Sequence, residues 1–211
     1  AFSHSKIEEI YFPRSLIKLK EGWCYGSNKL TRIIISPMNG QFKFEEDKYL
    51  IGKSNQNDDK FDKLLFVRRD INEISIPQNI KIIGSCSFEY SKIEEISIPS
   101  SITKICEYAF SICSNLRKVE IPTNSNLQTI EKGAFSYSKI EEISIPSSLT
   151  KICEYAFYYC LNLRKIEIPT NSNLQTIERS AFSYSNIEEI FIPSNLTKIC
   201  ENAFSNCSNL R

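Results

Sequence analysis

Residues 93–139 decide the fold, and they read IEEISIPSSITKICEYAFSICSNLRKVEIPTNSNLQTIEKGAFSYSK. The chain repeats this stretch almost letter for letter as residues 140–186. When block 92–138 is aligned with block 139–185, 40 of 47 positions are identical. An internal period of this kind is the signature of an array of stacked repeats, so the chain is predicted to form a solenoid.

Each block of 47 residues holds two repeat units, because IEEISIP at 93–99 returns as LRKVEIP at 116–122. Strand-like segments begin 22 to 24 residues apart along the chain, except for one spacing of 41. They start at Ile7, Leu30, Ile71, Ile93, Leu116, Ile140, Leu163, Ile187 and Leu210. The sequence thus predicts a single array of about eight units over residues 1–211. Both ends fall inside a unit, which indicates a piece of a longer protein.

Each unit carries the pattern apolar-x-x-apolar-x-apolar-Pro, which predicts a short strand with proline at its exit. The following Glu-x-Ala-Phe segment is too short for a free-standing helix and is predicted to form one or two helical turns held by packing. Stacked units give a parallel sheet with one strand per unit, ~4.8 Å apart. Equivalent positions then form buried columns. These are Ile96, Val119, Ile143, Ile166 and Ile190 in the interior, and Phe88, Phe110, Phe135, Phe157, Phe182 and Phe204 on the helical side.

The long second unit contains an insertion, predicted to span residues 38–70. Two apolar stretches, 41–51 and 63–69, flank the polar segment 54–60. Two strand-like stretches around a polar tip are typical of a β-hairpin. We therefore predict an inserted β-hairpin that projects from the solenoid.

These units resemble leucine-rich repeat proteins of the BspA-like type. The resemblance lies in LRKVEIP at 116–122, SLTKI at 148–152 and AFYYCLNL at 156–163. It implies an α/β fold, namely a right-handed leucine-rich repeat solenoid with a concave parallel sheet and short convex helices. For function it implies binding, since members are described as surface antigens that mediate adhesion to host proteins, cells or other microbes. The family usually has glycine where this chain has Cys106, Cys153 and Cys200.

Composition argues against several classes of function. The net charge is +1, from 26 basic and 25 acidic residues, so no global field would attract nucleic acid or an anionic membrane. The chain has no run of 18 apolar residues, so no membrane insertion is predicted within this segment. His4 is the only histidine, which argues against a metal site and leaves histidine-dependent catalysis without a second histidine. We predict a non-enzymatic chain without catalytic residues, cofactors or metals.

Six of the eight cysteines recur with a spacing of 47 residues. They are Cys106, Cys153 and Cys200 in one set, and Cys113, Cys160 and Cys207 in the other. Like positions would lie two strands apart, ~10 Å, whereas a disulfide requires Cα atoms within about 7 Å. Free, mostly buried thiols are therefore predicted, with disulfides or metal ligation as the alternatives.

Charged residues alternate in sign from strand to strand at two positions of the repeat. The second strand position carries Glu94, Arg117, Glu141, Arg164, Glu188 and Arg211, and the third carries Glu95, Lys118, Glu142, Lys165 and Glu189. Opposite charges on neighbouring strands contribute roughly 0.2–1 kcal/mol per pair, so cross-strand ion pairs are predicted. A face neutralised in this way cannot act as a single-sign electrostatic trap.

The candidate binding site is the outward-facing third and fifth strand positions of the concave face. The predicted protein-binding residues are Tyr11, Ile34, Glu95, Ser97, Lys118, Glu120, Glu142, Ser144, Lys165, Glu167, Glu189 and Phe191. Exposed aromatic residues beside charges are typical anchors of protein interfaces. Alternatively, the apolar residues at the two ends contact adjoining repeats or the hairpin. Tyrosines on the convex side either pack over neighbouring turns or form a second binding face.

The sequence predicts a protein-binding leucine-rich repeat module. Its resemblance to the BspA-like family implies that it is located at the cell surface or secreted. The expected partner is a host or matrix protein, or a component of an assembly. The alternative is an intracellular structural or scaffold protein, cytoplasmic or cytoskeletal, because unpaired cysteines suit a reducing compartment.

Overall fold

A computed structural model describes residues 2–211 as a parallel β-solenoid of about eight coils, each formed by one repeat unit. Its strands are short and numerous. They are β1 (Glu9–Phe12), β2 (Arg32–Ile35), β3 (Phe42–Glu45), β4 (Tyr49–Lys53), β5 (Phe61–Val67), β6 (Ile82–Ile83), β7 (Glu95–Ser97), β8 (Lys104–Ile105), β9 (Lys118–Glu120), β10 (Thr129–Ile130), β11 (Glu142–Ser144), β12 (Lys151–Ile152), β13 (Lys165–Glu167), β14 (Thr176–Ile177), β15 (Glu189–Ile190) and β16 (Lys198–Ile199).

Each of the last five coils contributes two strands, not the single strand that was predicted. One enters a five-stranded parallel sheet, β15-β13-β11-β9-β7, here called the front sheet. The other enters a nine-stranded sheet, β16-β14-β12-β10-β8-β6-β5-β4-β3, here called the side sheet. Strands β1 and β2 form a separate parallel pair. The prediction missed the side sheet because its two-residue strands are too short to show a sequence period.

The predicted convex helices are wrong: residues 2–211 contain strands and turns but no helix. The third side of each coil, here called the turn face, consists of turns at 84–90, 106–112, 131–137, 153–159, 178–184 and 200–206. The fold class is accordingly a β-solenoid rather than α/β. The resemblance to the family predicted the solenoid correctly and the convex helices incorrectly.

Hydrogen bonds between coils explain why these turns do not continue into helices. In the turn at 106–112, the N–H groups of Tyr108, Phe110 and Ile112 donate to carbonyls of the next coil, at 3.0, 2.7 and 2.9 Å. The intervening Ala109 and Ser111 donate to the carbonyl three residues back. Every second donor therefore leaves the coil, and the i to i−4 bonds of an α-helix cannot form. The turn face is a third ladder that joins the coils.

This alternation places two residues of each turn in the left-handed region of backbone conformation, four positions apart. In the central turns they are Tyr108 and Ile112, at φ 54° and 55°, and Gly133 and Tyr137, at φ 60° and 59°. A side chain other than glycine in this region costs roughly 1–2 kcal/mol. At Gly133 an added Cβ would also lie 2.4 Å from the ring of Tyr108. Packing and bonding between coils must offset this strain.

The insertion differs from the projecting two-stranded hairpin that was expected. It forms three strands: β3 and β4 are antiparallel, β4 and β5 are antiparallel, and β5 lies parallel to β6. Lys63 pairs with Ile82 and Leu64 with Ile83, so β5 occupies the second coil's place in the side sheet. The polar tip at 54–60 joins β4 to β5 and is exposed.

The predicted phenylalanine column is confirmed and forms the centre of the core. Six rings, one per coil, stack with centroids 4.5 to 5.4 Å apart and planes 4° to 19° from parallel. They are Phe88, Phe110, Phe135, Phe157, Phe182 and Phe204, the last only partly buried. The aliphatic column from Ile96 to Ile190 is also confirmed, with Ile190 half-buried at the end of the array. No coil could bury these side chains without its neighbours.

All eight cysteines are free thiols, and one set of them also ties coils together. The Sγ atoms of Cys113, Cys160 and Cys207 each donate to a phenylalanine carbonyl one coil earlier, at 3.1 Å. Burial raises the pKa of Cys113 and of Cys160 to about 12, which disfavours the reactive thiolate. These positions combine a small apolar group with a sulfur hydrogen bond.

The first two coils form a separate core in which Trp23 replaces the alanine of later units. Trp23 packs edge-on against Phe12, at 5.6 Å, and lies 6.0 Å from Phe66. Beside it, buried Arg69 donates to the carbonyls of Ser87 and Cys86, at 2.8 and 2.9 Å. The core of the first two coils therefore differs in composition from the core of the regular array.

Glu89 lies next to this cluster and is buried, with 1% of its surface exposed. Its carboxylate accepts a hydrogen bond from the N–H of Gly26 at 2.7 Å. Burial raises the pKa of Glu89 to about 7, although this hydrogen bond and the charge of Arg69 act in the opposite direction. The folded protein therefore holds this proton more tightly than the unfolded chain does.

We expect Phe135→Ala to lower the free energy of unfolding by about 3–5 kcal/mol, because it leaves a cavity in the middle of the ring stack. Urea unfolding monitored by circular dichroism measures this loss. Phe191→Ala is the matched control, since Phe191 is 52% exposed and its truncation should change stability by about 0.5 kcal/mol or less. Equal effects of the two substitutions would contradict a continuous buried column.

We expect Glu89 to make the protein less stable as the pH rises from about 5 to 8. A folded-state pKa of about 7 against an ordinary 4.5 means that protonation favours folding, and this contribution of about 2–3 kcal/mol disappears above pH 7. Urea unfolding at pH 5 and pH 8 should show this loss in the wild type and its absence in Glu89→Gln. Glu107→Gln, at an exposed position of the next coil, should retain the wild-type pH dependence.

Candidate protein-binding face

The front sheet presents two rows of exposed side chains on either side of a buried central row. In β7, β9, β11 and β13 the middle residue is buried and both neighbours are exposed. The alternation follows from the period of two along a strand, with isoleucine or valine facing the core. Eight predicted site residues thus lie together on one surface: Glu95, Ser97, Lys118, Glu120, Glu142, Ser144, Lys165 and Glu167.

The remaining four predicted residues lie towards the two ends. Glu189 is exposed on β15, and Phe191 is exposed one residue beyond it. Tyr11 and Ile34 pair with each other in the separate β1–β2 sheet, where Tyr11 is 58% exposed and Ile34 is half-buried. Residues 73–75 occupy the intervening coil without forming a strand, so hydrogen bonds do not join the two sheets.

The alternating charges stand in the predicted register. Glu95 lies opposite Lys118, Glu142 lies between Lys118 and Lys165, and Lys165 lies opposite Glu189. On the front sheet, however, the ion pairs run along β9 and along β13, whereas a cross-strand pair joins Glu9 of β1 to Arg32 of β2 at 2.8 Å. The prediction of cross-strand ion pairs therefore has the right register but the wrong partners.

Two equivalent clusters, one on β9 and one on β13, show the actual pairing. Lys118 Nζ lies 2.6 Å from Glu120 Oε1, while Ser97 on the neighbouring strand donates to Glu120 Oε2 at 2.8 Å. In the second cluster the same contacts join Lys165 to Glu167 at 2.5 Å and Ser144 to Glu167 at 2.8 Å.

These hydrogen bonds shift the pKa of each partner in the direction that favours its charged form. The bond between Lys118 and Glu120 raises the pKa of Lys118 and lowers the pKa of Glu120. Lys165 and Glu167 show the same directions from the same cause. All four groups are solvent-exposed, so both signs of charge are available to a partner at neutral pH.

A shallow open depression of about 610 Å³ lies over the centre of this surface. Its walls include both ion-paired clusters and Glu142, while Val119 and Ile143 lie at its base. An adjoining depression of about 380 Å³ follows the strand exits, lined by Ile145, Pro146 and other residues. The sequence pattern was interpreted as placing Pro146 and the other strand-exit prolines only in turns. Pro146 and most of the others come two residues after the fifth strand position, and this regular spacing was the signal that could have placed them on the same surface.

Two kinds of feature are absent from the described part of the chain. Across residues 2–211, no three histidine, cysteine, aspartate or glutamate side chains are grouped in a way that could hold a metal ion. No helix among these residues has the length and apolarity needed to cross a membrane. The arrangement on the front sheet provides hydrogen-bond donors, acceptors and paired charges over an extended surface, which suits recognition of another molecule.

Comparisons with known proteins agree with this architecture. A profile of the BspA type leucine rich repeat region matches residues 1–94, 53–163 and 81–211, which together span the chain. No curated sequence relative matches it.

Solved structures of bacterial leucine-rich repeat proteins have similar folds. The pneumococcal vaccine antigen PcpA is 25% identical, with a TM-score of 0.64 over 79% of this chain and 48% of its own. A protein from Eubacterium ventriosum is 24% identical, with a TM-score of 0.64 over 96% of this chain and 59% of its own. A cell surface protein from Faecalibacterium prausnitzii is 22% identical, with a TM-score of 0.53 over 81% of this chain and 51% of its own.

This chain therefore spans roughly half the length of those proteins. The profile covers every repeat unit identified in the sequence. The chain belongs to the family of BspA type leucine rich repeat proteins.

Proposed function

We propose that this chain is a non-catalytic protein-binding module of a surface or secreted protein, and that it binds its partner through the front sheet. The supporting observation is the pair of ion-paired clusters around Lys118 and Lys165, which line one depression. They present fixed charges of both signs at regular intervals. A partner with a complementary order of charges would gain orientation and specificity from this pattern.

The ends of this surface supply apolar contacts. Phe191 is 52% exposed beside Glu189, and Ile192 is 44% exposed. Aromatic side chains next to charged ones are common anchors of protein interfaces. The proposed contact surface therefore runs from Glu95 to Phe191, and Tyr11 with Ile34 extends it only if the partner also reaches the β1–β2 pair.

The proposed location rests on the family and its solved neighbours. Leucine-rich repeat domains generally mediate protein interactions. PcpA, the neighbour with 25% identity, is described as a vaccine antigen. A host or matrix protein is accordingly the proposed class of partner, and adhesion is the proposed process.

The insertion at residues 38–70 offers a second contact element. Its exposed tip at 54–60 borders a depression of about 460 Å³ shared with Ile17 and Glu21. Gln56 in this tip donates to the carbonyl of Ile17 at 3.2 Å, which holds the tip near the first coil. A partner that binds the front sheet of the later coils could contact this tip only if it is long enough to span the array.

A second candidate function is an intracellular scaffold, favoured by one observation. The eight cysteines are free, and unpaired thiols suit a reducing compartment. The thiols of Cys113 and Cys160 are fully buried, so they would also survive in an oxidising one. A signal peptide or membrane anchor in the flanking sequence would separate the two functions.

We expect the double substitution Lys118→Glu and Lys165→Glu, and separately Phe191→Ala, to weaken binding to the partner by about tenfold or more. Reversing the two lysines leaves Glu120 and Glu167 unpaired and turns an alternating row into a continuous acidic one. The measurement is biolayer interferometry against a panel of purified matrix proteins, with thermal melts to verify folding.

The matched control is Lys104→Glu with Lys151→Glu on the side sheet. These lysines have the same spacing of 47 residues and also form ion pairs, at 2.7 and 2.8 Å. The control should retain wild-type affinity. If the control loses affinity and the front-sheet variants do not, the side sheet is the binding surface and the proposal fails.

A further inference from the structure

The two near-identical blocks of 47 residues differ at seven positions, most of them on or beside the turn face. Two of the seven differences exchange one buried aliphatic side chain for another, Ile102 for Leu149 and Val119 for Ile166. The other five lie on or beside the turn face. They replace Ser111 by Tyr158, Ile112 by Tyr159, Ser114 by Leu161, Lys132 by Arg179 and Gly133 by Ser180. The repeat is therefore broken mainly at one surface, and there it gains two tyrosines and a leucine.

Tyr158 organises this surface. Its ring meets three other tyrosines edge-to-face: Tyr155 at 5.4 Å and 86°, Tyr137 at 5.6 Å and 73°, and Tyr184 at 5.7 Å and 78°. Edge-to-face contacts place the positive ring edge against a negative ring face, which stabilises the arrangement. In the neighbouring coils, Ser136 and Ser183 occupy the position of Tyr158 and are buried.

Around Tyr158, three tyrosines form an exposed row with one ring per coil. Tyr137, Tyr159 and Tyr184 have centroids separated by 5.2 and 5.5 Å along the solenoid. Their exposed fractions are 49%, 39% and 40%, and Leu161 beside them is 47% exposed. We call these four residues together with Tyr158 the tyrosine row.

The size of the tyrosine row argues for a small ligand. A patch of four exposed side chains around the partly buried Tyr158 covers on the order of a few hundred Å², which is the range of functional patches on monomers. A stable protein interface needs about 800 Å² on each partner, so the row alone does not supply a dimer contact.

Its charges argue for a neutral ligand. The side chains of the row are uncharged, and the adjacent Lys132 and Glu154 form an ion pair at 3.2 Å, so the exposed Arg179 on the next coil is a single charge beside the row. Desolvation and the neighbouring tyrosines raise the pKa of Tyr158, so its hydroxyl remains a protonated donor at pH 7. A single-stranded nucleic acid would require aromatic rings within a basic groove, which these groups do not form.

We propose that the tyrosine row binds a neutral glycan of equatorially linked pyranose units, with one sugar per coil. The C–H faces of such sugars pack against aromatic rings, and their hydroxyls exchange hydrogen bonds with tyrosine hydroxyls. The advance of an equatorially linked pyranose along its chain is close to the 5.2 and 5.5 Å between the ring centroids, so the repeat of the ligand matches the spacing of the rings. This site lies on the turn face and is independent of the front sheet.

The test uses soluble hexasaccharides as probes. Cellohexaose and chitohexaose, both β-1,4-linked, should bind the wild-type protein in isothermal titration calorimetry. Maltohexaose, whose α-1,4 linkages curve the chain, should bind at least about tenfold more weakly because its sugars cannot follow a straight row. The triple substitution Tyr158→Ser, Tyr159→Ile and Leu161→Ser should weaken β-1,4 binding by about tenfold or more.

The triple variant restores the residues of the preceding block, Ser111, Ile112 and Ser114, which fold in the same array. Tyr90→Ile is the matched control, since Tyr90 lies at the equivalent position two coils before Tyr137 and Ile112 stands between them. This control should bind like the wild type. The proposal is overturned if neither β-1,4 hexasaccharide binds, if maltohexaose binds equally well, or if the triple variant retains affinity.

Discussion

The structure depends on backbone hydrogen bonds that leave one coil and end on the next. On the turn face, the N–H of Phe110 donates to Ala134, that of Phe135 to Ala156 and that of Phe157 to Ala181, at 2.7 to 2.8 Å. These bonds set the coil spacing, and the spacing lets the phenylalanine rings stack. Because the donors are shared between coils, neither the bonds nor the ring contacts exist in an isolated unit. The solenoid is stable as an array.

The buried residues that hold the fold together are distinct from the exposed residues that are proposed to bind a partner. Buried columns fix the backbone, so exposed positions can vary without loss of the fold. The front sheet uses that freedom to repeat a charge pattern, with Lys118 and Lys165 in equivalent clusters. The turn face uses it to break the pattern, with Tyr158 and Tyr159 at positions where the preceding block has serine and isoleucine. A repeated surface suits an extended partner, whereas a unique patch suits a localised one.

The sequence predicted the features that depend on its period. The coil length, the column from Phe88 to Phe204 and the strand register all follow from identical residues recurring every 22 to 24 positions. The prediction of convex helices was wrong because the residues of the segment ending at Phe110 are compatible with a helix. The carbonyl that accepts the hydrogen bond from its backbone N–H lies on another coil, and this bond prevents the helix. The extra strand of the insertion was missed because its turn uses Glu46 and Asp47 at positive φ, without a glycine signal. The choice of Glu120 as partner of Lys118 depends on side-chain conformations that a sequence pattern does not contain.

Native-state amide hydrogen exchange, followed by NMR, tests the inter-coil ladder most directly. The amides of Phe110, Phe135 and Phe157 should exchange among the slowest in the protein, at rates close to those of the front-sheet strands, because exposing them requires separation of coils. The amide of Ser114, which lies at an exposed position between the turn face and the front sheet, should exchange rapidly. Rapid exchange at all three phenylalanines, with slow exchange confined to the sheets, would contradict a third ladder of hydrogen bonds.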